Sequence, residues 1–192
     1  MLFRSLALES EGAPVEFRNL RIKELPSSGA PTELTAPVDQ GLRALFTGLD
    51  FRGWKTNAAT MGRWRVGGER ISLKAGDAKA DATLWTEKDF GDSEFVLDCR
   101  PVKPPEGKQP AAPAVQLHGN GGKGIEIKLE GAVPGNYQRF TITVKGREVV
   151  VKRNDKETQR LTLPSDAPVR GAIGLIDGGD GMEFMNLYAR DL

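Results

Sequence analysis

Cysteine and histidine are almost absent from this chain of 192 residues, which contains one of each, Cys99 and His118. A single cysteine cannot form a disulfide within the chain, and zinc sites built from several cysteines and histidines are excluded. The segment "DGGDG" offers Asp177 and Asp180 as ligands for a hard cation such as calcium, but a glycine-rich turn explains it more simply. We therefore predict no metal site and no cofactor.

An excess of charge of one sign is also missing, because 27 basic residues face 26 acidic ones and the formal net charge is +1. This balance gives no indication of a nucleic-acid partner. No stretch approaches the roughly 18 consecutive apolar residues of a transmembrane helix, so no membrane partner is expected. The opening "MLFRSLALES" is interrupted by Arg4 and Glu9 and does not resemble a signal peptide, which leaves the location unknown.

Alternation of apolar and polar residues with period two dominates the chain from Leu42 onward. "SEFVLDCR", "AVQLHG" and "GIEIKLEG" each place apolar residues on one face of a strand and polar residues on the other. "RFTITVKGREVVVKRND" indicates a hairpin that turns at Lys145–Gly146, and Asn154–Asp155 marks a further turn. With 23 glycines, 12 prolines and one short helix candidate near "DQGLRALF", the sequence predicts an all-β sandwich or barrel.

A repeat links the two ends of the chain, since "EFRNL" at residues 16–20 returns as "EFMNL" at residues 183–187. With an offset of 167 residues, seven of 18 aligned positions between 8–25 and 175–192 are identical. Solenoid repeats have periods of about 20–50 residues, so this offset is the spacing of whole domains. Each copy reads as an apolar strand, a glycine-containing turn and a second alternating strand, which predicts a hairpin.

The repeat suggests three segments. Residues 1–25 are interpreted as the closing hairpin of a preceding, similar domain, residues 26–41 as a linker, and residues 42–192 as a β-sandwich domain. The alternative is that residues 1–25 add strands to this same domain. In either case the leading hairpin carries apolar residues, and an unpaired strand edge would favour self-association through it.

Several motifs in this order resemble the 3-keto-disaccharide hydrolase domain family: "LFTGLDFRGW", "RWRVGGERISL", "LWTEKDFGDSEFVLDCR", "GNYQRFTITVKG" and "IGLIDGGDGMEFMNLYARDL". The resemblance covers residues 42–192, and "PVEFRNLRIKEL" is similar to the closing family segment a second time. It implies a concanavalin-like jelly-roll sandwich, a carbohydrate ligand, and a periplasmic or extracellular location. It also implies cleavage of glycosides whose C3 hydroxyl has been oxidised to a ketone, by base-assisted elimination and addition of water.

The middle strands depart from the family pattern. Residues 112–118, "APAVQLH", stand where the family has Asn-Ser-Gly, a β-branched residue and a final Arg, and residues 124–128, "GIEIK", keep only Gly124 and Glu126 of a Gly-Tyr-Glu-x-Gln pattern. Tyr137 stands for the usual tryptophan. These departures indicate reduced or lost activity.

The polar faces of the central strands supply the candidate site residues. For the chemistry that the resemblance implies, Glu126 is the candidate base, His118 a titratable donor and Lys128 a cation that would stabilise an enolate. Ion pairs on a solvated sheet face are the alternative interpretation of the same charges. The candidate substrate-binding residues are Asp98, Arg100, Gln116, Trp85 and Tyr137.

Three functions remain open at this point. The first is a carbohydrate-active domain that cleaves 3-keto-glycosides, with reduced or no activity. The second is a non-catalytic glycan-binding or protein-interaction module of a multidomain protein. The third is assembly, in which the leading hairpin adds a strand to a neighbouring sandwich. Whether the chain is an enzyme is left undecided, because fold analogy is weak evidence for chemistry.

Overall fold

The computed structural model describes residues 8, 12, 16–18, 41–78, 82–103, 113–120 and 123–192. The chain divides into two compact units, Met1–Gly41 and Leu42–Leu192. Nearly all of the predicted leading hairpin and linker, and most of the proline-rich loop between the strands near residues 100 and 114, lie outside the described residues. Within the described part, no helix has the length and apolar character needed to cross a membrane.

The second unit is almost entirely β-structure, with thirteen strands and one short helix among the described residues. In chain order the elements are β1 (Arg43–Ala44), β2 (Trp54–Lys55), α1 (Ala58–Arg63), β3 (Trp64–Gly67), β4 (Arg70–Leu73), β5 (Leu84–Phe90), β6 (Ser93–Pro101), β7 (Ala114–Asn120), β8 (Lys123–Lys128), β9 (Gln138–Lys145), β10 (Glu148–Arg153), β11 (Lys156–Thr162), β12 (Gly171–Leu175) and β13 (Met182–Asp191).

These strands form two antiparallel sheets. The larger has eight strands in the order β11-β10-β9-β6-β13-β4-β3, with β1 paired to the far end of β13. The smaller has five strands in the order β2-β5-β12-β7-β8. Neighbouring strands are therefore often distant in the chain, and the architecture is the concanavalin-like jelly-roll sandwich that the family resemblance implies.

The core lies between the two sheets and is built from the apolar face of each alternating strand. On β6 the inward residues are Phe95, Leu97 and Cys99, and all three are buried, as the alternation predicts. Trp54 and Trp64 are also buried, and each indole Nε1 donates a hydrogen bond to a backbone carbonyl. Burial of the thiol raises the pKa of Cys99 to about 12, with a smaller contribution from the charge of Asp98. Cys99 is thus an inert packing residue.

Both predicted hairpin turns are present. Gly146, in the turn between β9 and β10, has φ +56°, and Asn154 and Asp155, between β10 and β11, have φ +48° and +67°. Two-residue hairpin loops require such positive φ values, and Gly, Asn and Asp tolerate them best. The residue types in these two turns were therefore enough to predict where β9, β10 and β11 begin and end.

Two local predictions were wrong. The segment near "DQGLRALF" contains strand β1 rather than a helix, and the helix α1 begins instead after Asn57, whose side chain caps it by accepting from Thr60 N at 2.8 Å. The closing segment is not a hairpin either, because β12 belongs to the five-stranded sheet and β13 to the eight-stranded one. The "DGGDG" loop, which joins β12 to β13, therefore crosses from the five-stranded sheet to the eight-stranded sheet.

Candidate functional site

The outer face of the five-stranded sheet carries one large aromatic side chain, Trp85 of β5. Leu84 and Thr86 on either side are buried, whereas Trp85 lies on the opposite face of the strand and stays partly exposed. The alternation of a β-strand therefore directs Trp85 away from the core. Trp54 and Trp64 are packed inside, so Trp85 is the tryptophan available to a ligand.

The indole of Trp85 rests on a surface made of three glycines, Gly174 of β12, Gly119 of β7 and Gly124 of β8. An added Cβ would lie 2.8 Å from the ring at Gly174 and 3.1 Å from it at Gly124, and it would overlap the ring at Gly119. We call Trp85 and these three residues the glycine floor site. Because glycine has no Cβ, the ring can lie directly against the sheet backbone.

Polar residues stand beside this surface. Lys55 of β2 is paired directly with Trp85, and Gln116 of β7 is paired with Glu126 of β8. Glu126 lies two residues beyond Gly124 on the same face of β8, about 7 Å along the strand. Among the described residues, the buried Oε1 of Gln116 has no hydrogen-bond partner. The carboxylate of Glu126 is therefore on the same sheet face as the Trp85 ring, two residues along β8 from Gly124, which lies under that ring.

A pocket of about 160 Å³ opens next to Glu126. It is formed where the two sheets and the loop between β12 and β13 meet. Its described walls combine apolar side chains with the carboxylates of Glu126 and Asp180. The lining residues are Pro113, Ala114, Glu126, Ile176, Gly178, Asp180, Met182 and Phe184.

Lys128, the predicted cation, is exposed and paired with Ala114 at the end of β8. It lies on the same strand face as Glu126, two residues further along, so the two side chains are neighbours on one face. The strand is fixed there by Gln159 of β11, whose Nε2 donates to the Lys128 carbonyl at 3.0 Å. The structure thus places four of the predicted site residues on the outer face of the five-stranded sheet, namely Trp85, Gln116, Glu126 and Lys128.

His118, the predicted donor, does not lie on this open face. A β-bulge interrupts β7 between Leu117 and Asn120, and His118 adopts φ +52° there. The imidazole is buried, with Nδ1 donating to the Pro168 carbonyl at 2.7 Å and Nε2 3.4 Å from the Gly91 carbonyl. Simple alternation would place His118 beside Gln116, but the bulge turns it inward, where it ties two loops to the sheet.

Asp98, a predicted substrate-binding residue, lies on the other sheet. Both of its carboxylate oxygens are occupied by Arg139, at 2.7 and 2.8 Å, and Asn186 Nδ2 donates to Oδ2 at 2.6 Å. Asn186 has φ +51° within a bulge of β13, a conformation that asparagine tolerates. The Asn of the closing motif is therefore placed by backbone geometry and by this hydrogen bond.

Arg100 and Tyr137 form a second cluster on the eight-stranded sheet, centred on Glu183. Arg100 Nε lies 2.6 Å from Glu183 Oε2, Tyr137 donates to the same oxygen at 3.0 Å, and Arg70 Nε is 3.4 Å from Oε1. The Arg100 guanidinium also lies over the Tyr137 ring, 4.5 Å from its centroid. The sequence grouped these residues with Glu126, but the sheet topology separates them.

The Glu183 cluster has clear electrostatic consequences. Burial acts to raise the pKa of Glu183, but the hydrogen bonds from Arg100 and Tyr137 and the charges of Arg100 and Arg70 outweigh it and hold the pKa below its usual value. Burial, followed by the hydrogen bond to Glu183, raises the pKa of Tyr137. The cluster is a self-satisfied ion-pair network, which is the alternative interpretation of these charges.

Asp177, one of the two acids considered for calcium, is engaged in a buried ion pair. Arg63 at the end of α1 holds it with two hydrogen bonds, of 2.6 and 2.8 Å, and the backbone N–H of Gly179 donates to it at 2.9 Å. The hydrogen bond to Asp177 is the main reason that the pKa of Arg63 is raised. No group of three or more metal-ligating side chains occurs in the part of the chain that the structure describes.

Sequence reasoning named Trp85 and Glu126 as candidates and Asp180 only as a possible cation ligand, and it did not predict the glycine floor. Gly119, Gly124 and Gly174 are far apart in the chain, and each sits in a strand where glycine is unfavourable. That unusual placement was the available signal. It indicates a close approach of another group to the backbone, without saying which group approaches.

Comparison with known families gives a match to the 3-keto-alpha-glucoside-1,2-lyase-like domain over residues 41–190. This confirms the resemblance stated from the motifs. No curated protein sequence matches the chain.

Solved structures share the fold at low sequence identity. Two crystal structures of proposed glycosyl hydrolases from Parabacteroides distasonis superpose with TM-scores of 0.64 and 0.59, at 15% and 16% identity. They cover 83% and 79% of this chain and 98% and 99% of their own. The carbohydrate-binding module CBM66 from Bacillus subtilis gives a TM-score of 0.54 at 12% identity, covering 72% of this chain and 96% of its own.

Proposed function

This chain belongs to the 3-keto-alpha-glucoside-1,2-lyase-like domain family, and we propose that it binds the sugar ring of a glycoside on the glycine floor site. The observation that carries the proposal is the Trp85 indole packed directly against Gly119, Gly124 and Gly174 on an outer sheet face. The likeness in fold to a carbohydrate-binding module and to proposed glycosyl hydrolases is compatible with it.

The chemistry of a sugar ring fits this surface. One face of a pyranose presents C–H groups, and these pack against a flat aromatic ring with an electron-rich face. The hydroxyl groups at the ring edge need hydrogen-bond partners, which the exposed side chains of Glu126 and Lys55 supply on the same sheet face. A rigid aromatic surface flanked by a few polar groups is the general composition of a small-molecule site.

The test is binding of a 3-keto-glucoside and of the corresponding glucoside to the wild type and to Trp85→Ala, by saturation-transfer NMR and titration. Loss of the stacking surface should weaken binding by about tenfold or more, equivalent to about 1.4 kcal/mol. The matched control is Tyr137→Ala, which removes an aromatic ring from the eight-stranded sheet and should leave affinity unchanged. Equal affinity in the wild type and Trp85→Ala would overturn the proposal.

A second candidate function is cleavage of the bound 3-keto-glycoside. Glu126 favours it, because this exposed carboxylate stands between the Trp85 surface and the pocket. A C3 ketone acidifies the C2–H bond. Glu126 would take the C2 proton, and the C2–H electron pair would form the C2=C3 bond of an enolate as the C3=O pair moves onto oxygen. When the enolate collapses back to the ketone, the C1=C2 bond forms, the C1–O bond breaks, and the leaving oxygen takes the proton held by Glu126, directly or through water.

Water then adds across C1=C2 and gives the free 3-keto sugar. Lys128, on the same strand face, would stabilise the enolate oxygen that develops at C3. His118 has no part in this scheme, since its ring is buried and bound to backbone carbonyls. Glu126→Gln should remove new sugar signals from the proton NMR spectrum while ligand binding persists. Unchanged product formation in Glu126→Gln would exclude Glu126 as the base, and binding without products in the wild type would identify a non-catalytic module.

A further inference from the structure

The pocket beside Glu126 differs in chemistry from the surface around Trp85. Of the eight described residues that line it, five are apolar, and they include Met182 and Phe184 from the eight-stranded sheet. A second sugar carries hydroxyl groups around its whole rim, and the carboxylates of Glu126 and Asp180 could accept only from those that face them. The remaining hydroxyls would lie against Met182, Phe184 and the other apolar walls and lose their hydrogen bonds to water without replacement. The pocket therefore suits an apolar group better than another carbohydrate ring.

The volume of this pocket also limits which ligands it can hold. At about 160 Å³, the pocket is close to the roughly 150 Å³ of apolar cavities that hold one benzene molecule, and it is smaller than sites for drug-sized ligands. One six-membered aromatic ring fits this volume, and an extended chain of rings does not. The carboxylates of Glu126 and Asp180 on the lining could accept hydrogen bonds from hydroxyl groups on such a ring.

We propose that this pocket binds the aglycone of an aryl glycoside whose sugar ring rests on Trp85. The inference depends on the proposed function, because Trp85 must hold the sugar. Glu126 belongs to both places: it follows Gly124, under the Trp85 ring, on β8, and it also lines the pocket. The bond between sugar and aglycone then lies beside Glu126, and the substrate class is a glycoside with a compact phenolic or other aryl group.

The experiment compares methyl and phenyl α-glucosides, in the sugar form (C3 hydroxyl or C3 ketone) that binds in the Trp85 experiment. The phenyl compound should bind about tenfold tighter, because its ring leaves water for the apolar pocket. Two variants fill the pocket, Ala114→Leu and Ile176→Phe. Each should abolish the preference for phenyl while affinity for the methyl compound is retained, and two variants are used in case one fails to fold.

Leu49→Phe is the control, because Leu49 is 82% exposed and does not line the pocket. It should keep the full phenyl preference. Equal binding of methyl and phenyl glucosides by the wild type would overturn the inference and leave the proposed function intact. A phenyl preference that survives both filling variants would also overturn it. Failure of both ligands to bind would instead refute the proposed function, and the inference with it.

Discussion

Trp85 and Gly119 are in direct contact on the outer face of the five-stranded sheet, so close that a Cβ at position 119 would overlap the indole ring. Gly119 has an ordinary φ, and its need for glycine therefore comes from the neighbouring ring rather than from its own backbone. Gly119 therefore helps to set the position of the Trp85 ring, although it has no side chain that could contact a ligand.

Gly119→Ala should therefore weaken sugar binding without touching the ligand. The added methyl group would push the Trp85 ring off the sheet, and affinity should fall by about tenfold, or about 1.4 kcal/mol. The change in unfolding free energy should stay within about 1–2 kcal/mol, since the partly exposed ring can swing toward solvent. Titration with the glucoside and urea unfolding monitored by fluorescence measure the two effects.

The matched control is Gly67→Ala, at the end of β3, where an added Cβ meets nothing within 4 Å. It should leave both affinity and Trp85 fluorescence unchanged. If Gly119→Ala binds the sugar as tightly as the wild type does, the packing of Trp85 against the glycines is irrelevant to the ligand.

His118→Asn should reduce stability and leave the ligand site unaffected. Asparagine tolerates the positive φ of this bulge but cannot reach both the Pro168 and the Gly91 carbonyls, so a buried acceptor loses its donor. We expect a loss of about 1–3 kcal/mol in unfolding free energy and unchanged affinity of the folded protein. The reverse result, normal stability with loss of turnover, would restore His118 as a catalytic candidate.

The fold was accessible from the sequence because period-two alternation and turn residues are local signals. Phe95, Leu97 and Cys99 point inward as predicted, and Asn154 and Asp155 form the predicted turn. The assignment of strands to sheets is not local. The sequence grouped Arg100 with Glu126, and no pattern within either strand shows that β6 and β8 lie in opposite layers.

The candidate site could be predicted only in part from the sequence, for a related reason. A β-bulge moves a side chain to the other face, so one extra residue near His118 was enough to make the alternation misleading. Trp85 was predicted as a candidate because a tryptophan next to a charged run is conspicuous. Its glycine floor comes from three strands distant in the chain, and only the folded arrangement shows that these glycines lie under one ring.

Arg63→Met should be strongly destabilising. It would leave Asp177 as an unpaired charge whose side chain is fully buried in the structure, and breaking a buried pair in this way costs about 3–5 kcal/mol. Because Asp177 begins the loop that carries Gly178 and Asp180 to the pocket, the variant should also disturb pocket ligands. Urea unfolding measures the first effect and phenyl glucoside titration the second.

Arg52→Met is the control for that change, because its pair with Asp50 is 3.8 Å long and largely exposed. Exposed pairs contribute about 0–1 kcal/mol, so this variant should unfold close to the wild type. The double variant Arg63→Met/Asp177→Leu should recover part of the lost stability, since no charge is then left buried. Equal costs for Arg63→Met and Arg52→Met would contradict the assignment of a buried pair.

Glu183 should make the domain less stable in acid. Its pKa in the folded protein lies below the usual value of 4.5, because hydrogen bonds from Arg100 and Tyr137 outweigh the opposing effect of burial. The folded state therefore binds the proton less readily than the unfolded state does. The stabilisation is complete above the unfolded pKa and is lost as the pH falls from about 4.5 through the folded pKa.

Glu183→Gln should accordingly show a shallower loss of unfolding free energy between pH 6 and pH 3, as measured by urea titrations at each pH. Its stability at pH 6 should already be below that of the wild type, because the ionised partner of Arg100 is gone. Tyr137→Phe removes one of the two hydrogen-bond donors and should give an intermediate profile. If the unfolding free energy falls equally steeply with decreasing pH in the wild type and in Glu183→Gln, another group controls the acid sensitivity.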